Sequence, residues 1–554
     1  MTSGIRDPGS GIRDAGDAAL LFALEAVIDP VVNARAIAIA HAIATHQIAG
    51  VRDVIATYRS VAVHFDPLMT DVDSLRAKLG RAAATSLAAR EGGLIEVPVA
   101  YGSTDGPDLE DVAAFARLTT DQVIERHCAR EYRVFMLGFL PGFAYMGSVD
   151  ERIAAPRRAT PRILIPSGSV GIAGRQTGVY PRQSPGGWQL IGRTALQVFD
   201  PSRERPSLFA PGDRVRFVHE PRSSEARTLE PATFRTTDPP THRTDNAARL
   251  VTVLRPGLLT TIQDRGRFGH QDRGVPVAGP MDWYSFRLAN ALVGNVGDAA
   301  AIEATIVGPE LRFEQPTMIA IAGADLQATL DGSPVPIHSA RECAAGSVLR
   351  FGERHGGART YLAVDGGFDV PPVLGSRATH VISGLGGIDG RALRAGDQLA
   401  LGPRAEMSTS PPRGPFRVAN GGARLRVMRG PQDDHFDKSA LDLLQRTRFT
   451  ISPQSDRMGY RLRIPDPASR MPARAEGAMI SDATFIGGLQ IPPSGDPILL
   501  MADRQTTGGY PQIATVITAD LPLAGQLAPG DWIEFTECTR SDAIAALNEL
   551  ENGF

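Results

Sequence analysis

Ile165-Pro166-Ser167-Gly168, then Arg175-Gln176-Thr177-Gly178 and Tyr180-Pro181, returns far downstream as Pro492-Pro493-Ser494-Gly495, Arg504-Gln505-Thr506-Thr507-Gly508-Gly509 and Tyr510-Pro511. Each copy runs on to an apolar segment entered through the same corner, Ala210-Pro211-Gly212-Asp213 and Ala528-Pro529-Gly530-Asp531. Weaker echoes of the corner stand at Ala345-Gly346-Ser347 and Ala395-Gly396-Asp397. Repetition on this scale marks duplicated β-units. Glycine and proline can recur for folding alone. The Arg-Gln-Thr between them admits two readings: a structural turn locked by its glycines, or a loop that faces a ligand.

Outward from the repeats, short apolar and β-branched runs alternate with Gly and Pro turns, as at Leu250–Leu254, Met318–Ala322, Thr360–Val364, Leu425–Met428 and Ile498–Met501. That pattern suggests barrels and not a parallel sheet. Thr119 with Gln122 forms a capping box for a helix ending near Ala129. Asp282 caps a second helix reaching Val293, with Phe286, Asn290 and Val293 on one face. Further helices are expected from about Asp437 to Arg446 and after Ser541. Near the N-terminus, Val31–Ile48 reads as a helix and Leu75, Leu79 and Leu87 mark one face of another. Val61, Val63 and Phe65 alternate as a half-buried strand.

The expected fold is therefore mainly β, with an α+β N-terminal unit and multiple β-barrels. A disordered tail covers 1–16, the α+β unit 17–92 and a barrel 93–220. Pro-rich, polar residues 221–246 have linker composition. Two more barrels follow, at 247–410 and 411–554. The length of 554 residues accommodates about three to five domains at the usual 100–200 residues each.

A net charge of −3 gives no electrostatic reason to expect nucleic acid as a partner. Lys78 and Lys438 are the only lysines, so lysine chemistry is nearly absent while arginine is plentiful. Cys128, Cys343 and Cys538 are few and widely spaced, which fits a reducing compartment and neither a disulfide framework nor a thiolate site. No run approaches the ~20 apolar residues of a membrane span. The expected location is the cytoplasm, with no membrane contact.

Gly138–Gly147, read Gly-Phe-Leu-Pro-Gly-Phe-Ala-Tyr-Met-Gly, with Ser184-Pro185-Gly186-Gly187-Trp188, resembles the allophanate hydrolase subunit 1 family, also called the Kip inhibitor family. Gly257–Arg267, Gly279-Pro280-Met281-Asp282 and Asp456–Leu462 resemble the subunit 2, or Kip antagonist, family. The chain looks like a fusion of two subunits, and the pair is also similar to the carboxyltransferase domain of urea carboxylase. The resemblance implies cyclophilin-like β-barrels. It also implies the B-type and C-type subunits of bacterial 5-oxoprolinase, which open 5-oxoproline to glutamate with ATP, its Mg²⁺, and a separate lactam-utilisation partner, the A-type subunit. Two alternatives stay open. One is a biotin-dependent carboxyltransferase, although no Met-Lys-Met carrier motif is present. The other is a regulatory protein inhibiting a sensor histidine kinase. Allophanate hydrolysis proper uses a Ser-Ser-Lys amidase, and neither lysine lies in such a segment, so that activity is set aside. A homo-oligomer is compatible with the sequence.

Opening a lactam calls for cations on phosphate and donors on a developing oxyanion, for which the planar arginine fork is suited. No Gly-x-x-x-x-Gly-Lys-Ser/Thr loop is present to place ATP. Candidate catalytic residues are His127, Arg175, Gln176, Arg504 and Gln505. His127 is read either as a general base for water or as a satisfied core residue at a helix end. Candidate substrate contacts are Tyr180, Tyr510, Asp264, Arg265, Asp282, Asn290, Arg457 and Tyr460. Their structural alternatives are a barrel rim for the tyrosines, a salt-bridged hairpin for Asp264 and Arg265, a helix cap for Asp282, and a loop brace for Asn290. No histidine spacing points to a protein-bound metal.

Overall fold

The computed structural model describes residues 11–85, 92–220, 249–404, 419, 421–465, 471 and 479–553. The expected linker lies outside these residues. So does the first part of the expected tail, whereas Gly11–Asp14 is a strand paired antiparallel with Ala19–Ala23. That corrects the tail reading: Ile12 packs on the core of the N-terminal unit, and Asp14 is fixed by Arg76 and Arg540, each at 2.6 Å. The order of this four-stranded sheet is 11–14, 19–23, 60–65, 51–56. The helix Pro30–Thr45, capped by Asp29, and the helix Val72–Ala84, capped by Asp71, cover one face.

Two closed seven-stranded barrels follow, as the repeats imply. The strands of the first are 94–101, 131–137, 144–147, 169–173, 176–179, 189–193 and 214–219. Those of the second are 422–429, 449–451, 459–463, 488–490, 498–500, 512–516 and 532–537. Both connect in the order first, sixth, fourth, fifth, third, second, seventh, and in both the seventh strand closes on the first in parallel. Helices join the first two strands in each: Leu109–Ala116 and then Thr120–Cys128, opened by the Thr119–Gln122 capping box, in the first, and Lys438–Arg446, capped by Asp437, in the second.

The repeated phrase does not occupy equivalent places. Ser167-Gly168 precedes the fourth strand of the first barrel, but Ser494-Gly495 follows the fourth strand of the second. Arg175 therefore sits at the turn between strands four and five, and Arg504 between strands five and six. The segment 250–401 is not the third closed barrel expected. It holds a six-stranded and a five-stranded sheet that share one apolar core, including Val251, Leu311, Leu349, Ile302, Ile321 and Leu362. Trp283–Leu292, capped by Asp282, packs through Phe286 and Leu288 on the far face of the second sheet.

The corner itself is the more faithful repeat. Gly212, Gly530, Gly396 and Gly346 all have φ between 82° and 95°, a region that favours glycine. Each donates its N–H to a strand carbonyl, on Val134, Ile451, Val253 and Phe313, at 2.7–2.8 Å. Asp213, Asp531 and Asp397 then fold back to accept the N–H of Ala210, Ala528 and Arg394. Among the described residues no helix is long and apolar enough to cross a membrane.

Candidate functional site

The strand Ser60–Phe65 is buried on both faces, not one. Val61, Val63 and Phe65 enter the core of the N-terminal unit, while Ala62 meets Ala483 and Phe485 of the second barrel. The second face carries no charge, so the two units can dry the contact. What seals it is polar: Asp482 accepts the Ser60 hydroxyl and the Ala483 N–H, the latter at 2.8 Å. Burial raises the Asp482 pKa against those bonds.

A cavity of about 570 Å³ opens beside this contact, walled by the N-terminal unit, the segment 265–287 and the second barrel. Arg504, 3 % exposed, reaches it from the loop after the fifth strand. Its Nη2 donates to Gln271 Oε1 at 3.0 Å, and Gln271 donates from N and Nε2 to the two Asp53 oxygens, both at 3.0 Å. Carboxylate, amide and guanidinium thus form one chain across both halves, and Asp53 fixes which way the Gln271 amide points. Burial pulls the Arg504 pKa down to about 10, partly opposed by Asp53. Burial likewise raises the Asp53 pKa despite the two bonds from Gln271. The Arg504 Nε–H is buried and has no hydrogen-bond partner.

His64 lines the same cavity, 9 % exposed, with Phe485 against its ring at 5.2 Å. Its Nε2 is buried and unpartnered. Burial, then the charges of Arg504 and Arg52, lower its pKa to about 3, so the imidazole is neutral. Arg52 is paired with Asp66 at 2.6 Å and lies over Phe268. Arg265 completes the polar wall.

Of the residues singled out in the sequence, the cavity gathers Arg504 and Arg265. His127 is a correction. It is fully buried between the Tyr101 hydroxyl at 2.7 Å and the Thr177 hydroxyl at 3.0 Å, with Phe217 stacked on it at 4.5 Å. Burial lowers its pKa to about 3, and no water can reach it to be activated. Arg175 is a surface residue paired with Glu151. Gln176 donates to the Tyr58 hydroxyl, and Gln505 offers its carbonyl to Thr484. Tyr180 is packed among Phe143 and Trp188, whereas Tyr510 is 42 % exposed.

The others serve the frame. Asp264 accepts from Ser376 and from the Gly266 and Arg377 N–H groups. Asp282 caps its helix through Ser285 and accepts from Gln526 at 2.7 Å. Asn290 braces Ala299 and Asn295. Arg457 is clamped between Asp503 and Glu303, and Tyr460 takes a bond from Arg359 at 2.6 Å. The Phe139–Tyr145 loop docks on the second half, where the Gly142 N–H donates to Arg273 and Gly138 leaves no room for a Cβ against Thr507.

Asp53, His64 and Gln271 escaped the sequence reading. His64 had a signal: Ser60, Ala62 and His64, opposite the apolar alternation, are small or neutral where a solvent-facing strand would carry charge. Asp53 and Gln271 meet only in three dimensions.

Residues 10–209 match the family described as carboxyltransferase domain, subdomain C and D, and residues 273–537 match carboxyltransferase domain, subdomain A and B. The second half is similar to the C-type 5-oxoprolinase subunit of Escherichia coli (strain K12), 36% identical over 305 residues, 55% of this chain and 96% of the relative. The first is similar to the B-type 5-oxoprolinase subunit of Haemophilus influenzae, 46% identical over 158 residues, 28% of this chain and 71% of the relative. The crystal structure of TTHA0988 superposes with a TM-score of 0.79 at 34% identity, over 95% of this chain and 100% of that one. The chain belongs to the carboxyltransferase-domain family of the 5-oxoprolinase subunits, with the B-like and C-like subunits joined as two halves of one polypeptide.

Proposed function

We propose that this chain supplies the B and C components of an ATP-dependent 5-oxoprolinase, opening 5-oxoproline to glutamate with a separate lactam-utilisation partner. The observation that carries the reading is Arg504: a buried guanidinium with an unbonded Nε–H, in a cavity that neither half walls alone. The substrate is a small ring with one carboxylate and one amide. A buried cation with a free donor suits the carboxylate, because a charge-assisted bond gains strength away from water. Phe268 and Phe485 offer the ring an apolar wall. Asp53, through Gln271, holds the guanidinium in place before substrate arrives, which lowers the cost of ordering it later.

ATP does not fit this cavity. Among the described residues no glycine-rich phosphate loop lines it. Among the described residues, Arg52 and Arg287 on its wall are tied to Asp66 and Glu551, which leaves Arg265 and Arg504 without an ion pair. Two such cations match a monoanion and not a triphosphate. The nucleotide is therefore assigned elsewhere, and no step is routed through it here. The three free cysteines fit action in the reducing cytoplasm.

The test is 5-oxoproline-stimulated ATP hydrolysis with glutamate release, by the protein with and without its partner. The reading expects activity in the mixture, and a folded, bound partner that gives no stimulation contradicts it. A second reading, carboxyl transfer from biotin, draws on the carboxyltransferase description of both matched segments. It expects exchange of carboxylate with a biotinylated carrier added in trans.

A further inference from the structure

The buried, unpartnered Nε2 of His64 is, with the Thr515 hydroxyl, a polar atom on the cavity wall that the anchoring of a carboxylate leaves unused. A buried nitrogen without a hydrogen bond has lost its hydration with nothing in return and calls for an explanation. Here Nε2 is buried, shares the cavity with Arg504, and is backed by the Phe485 ring. Burial, with Arg504 and Arg52 nearby, keeps the ring uncharged, and in the Nδ1–H tautomer the Nε2 lone pair is available as an acceptor. An acceptor beside a cation is a matched pair for a ligand that places an N–H close to a carboxylate.

We propose that His64 is a substrate-contacting specificity residue: its Nε2 accepts a hydrogen bond from the ring N–H of a cyclic amide whose carboxylate is held by Arg504. This rests on the lactam reading of the cavity and deepens it. In 5-oxoproline the carboxylate is borne on the carbon next to the ring nitrogen, so both groups leave the same edge of the ring. Arg504 alone would accept any small carboxylate. The pair selects an amide over an ester, because a ring oxygen in place of N–H would present a lone pair to the lone pair of Nε2 and leave both unpaired.

The test compares 5-oxoproline with its lactone counterpart, the same ring and carboxylate with oxygen in place of N–H, by calorimetric binding to the full chain and by inhibition of turnover in the mixture with its partner. Wild type is expected to prefer the lactam by at least about 10-fold, the cost of the lost and unpaired groups. His64→Leu should bind both ligands weakly and almost equally. His64→Gln, whose amide oxygen can accept, should restore part of the preference, and its melting temperature shows that loss of selectivity is not loss of fold. If wild type turns over 5-oxoproline but shows no preference, or if His64→Leu keeps it, the role of His64 is overturned while the lactam reading survives. If wild type neither binds nor turns over 5-oxoproline, both fall.

Discussion

Arg175 and Arg504 spell the same phrase, yet their surroundings set them apart. One is a solvent-screened surface pair, the other a buried cation with an open donor. Arg504→Ala is expected to cut kcat/KM for 5-oxoproline at least about 100-fold, the scale of truncating a buried charged contact. Its melting temperature should barely change, since removing an unpaired buried charge offsets the bond lost to Gln271. Arg175→Ala should shift stability by no more than about 0.5 kcal/mol and leave activity alone. Steady-state kinetics and thermal melts on both variants check this. His127 makes the opposite case. Its folded value of about 3 lies below the ordinary 6.5, so acid protonates the unfolded chain first. The stability it confers is complete above about pH 6.5 and is lost as the pH falls toward 3. The stability gap between wild type and His127→Gln, followed by denaturant melts, should therefore narrow below about pH 6.5 with kcat unaffected. Arg504 was legible because a repeat held it between rigid residues. His64, Asp53 and Gln271 were not, because their meaning comes from units brought together across the fold.

Among elements, the glycine corner is the unit that local sequence specifies best. The φ value, the N–H to the neighbouring strand and the returning aspartate all follow from Ala-Pro-Gly-Asp, and three weak or strong copies reproduce them. At Gly530 an added Cβ would meet nothing within 4 Å, so only backbone strain opposes a side chain. Gly530→Ala should cost about 1–2 kcal/mol, from the positive φ alone, in a chemical melt. Helix starts were equally legible: Thr119, Asp282 and Asp437 cap as their side chains dictate. Two elements were misread for a shared reason. The edge strand Gly11–Asp14 is too polar to declare itself, and Ser60–Phe65 hides its second buried face behind small residues. Their partners, Arg540 and Phe485, lie hundreds of residues away.

For the whole molecule, duplication predicted barrels and delivered two of identical connection order, while the segment between 250 and 401 solved its packing with two open sheets around one core. Hydrophobic spacing does not distinguish a closed barrel from two sheets, since both bury alternate residues. Nor could it show that the halves share a site. Asp482 with Ser60, Asp53 with Gln271, and Asp17 with Thr518 at 2.9 Å tie the N-terminal unit to the second half. The cavity is a product of that docking and would not exist in either half alone. The most direct measurement is therefore a crystal structure of the full chain soaked with 5-oxoproline. The ligand is expected in the junction cavity, its carboxylate on Arg504 and its ring N–H at His64. Ligand bound instead at the Arg175–Tyr180 hairpin, with the junction cavity empty, would contradict it.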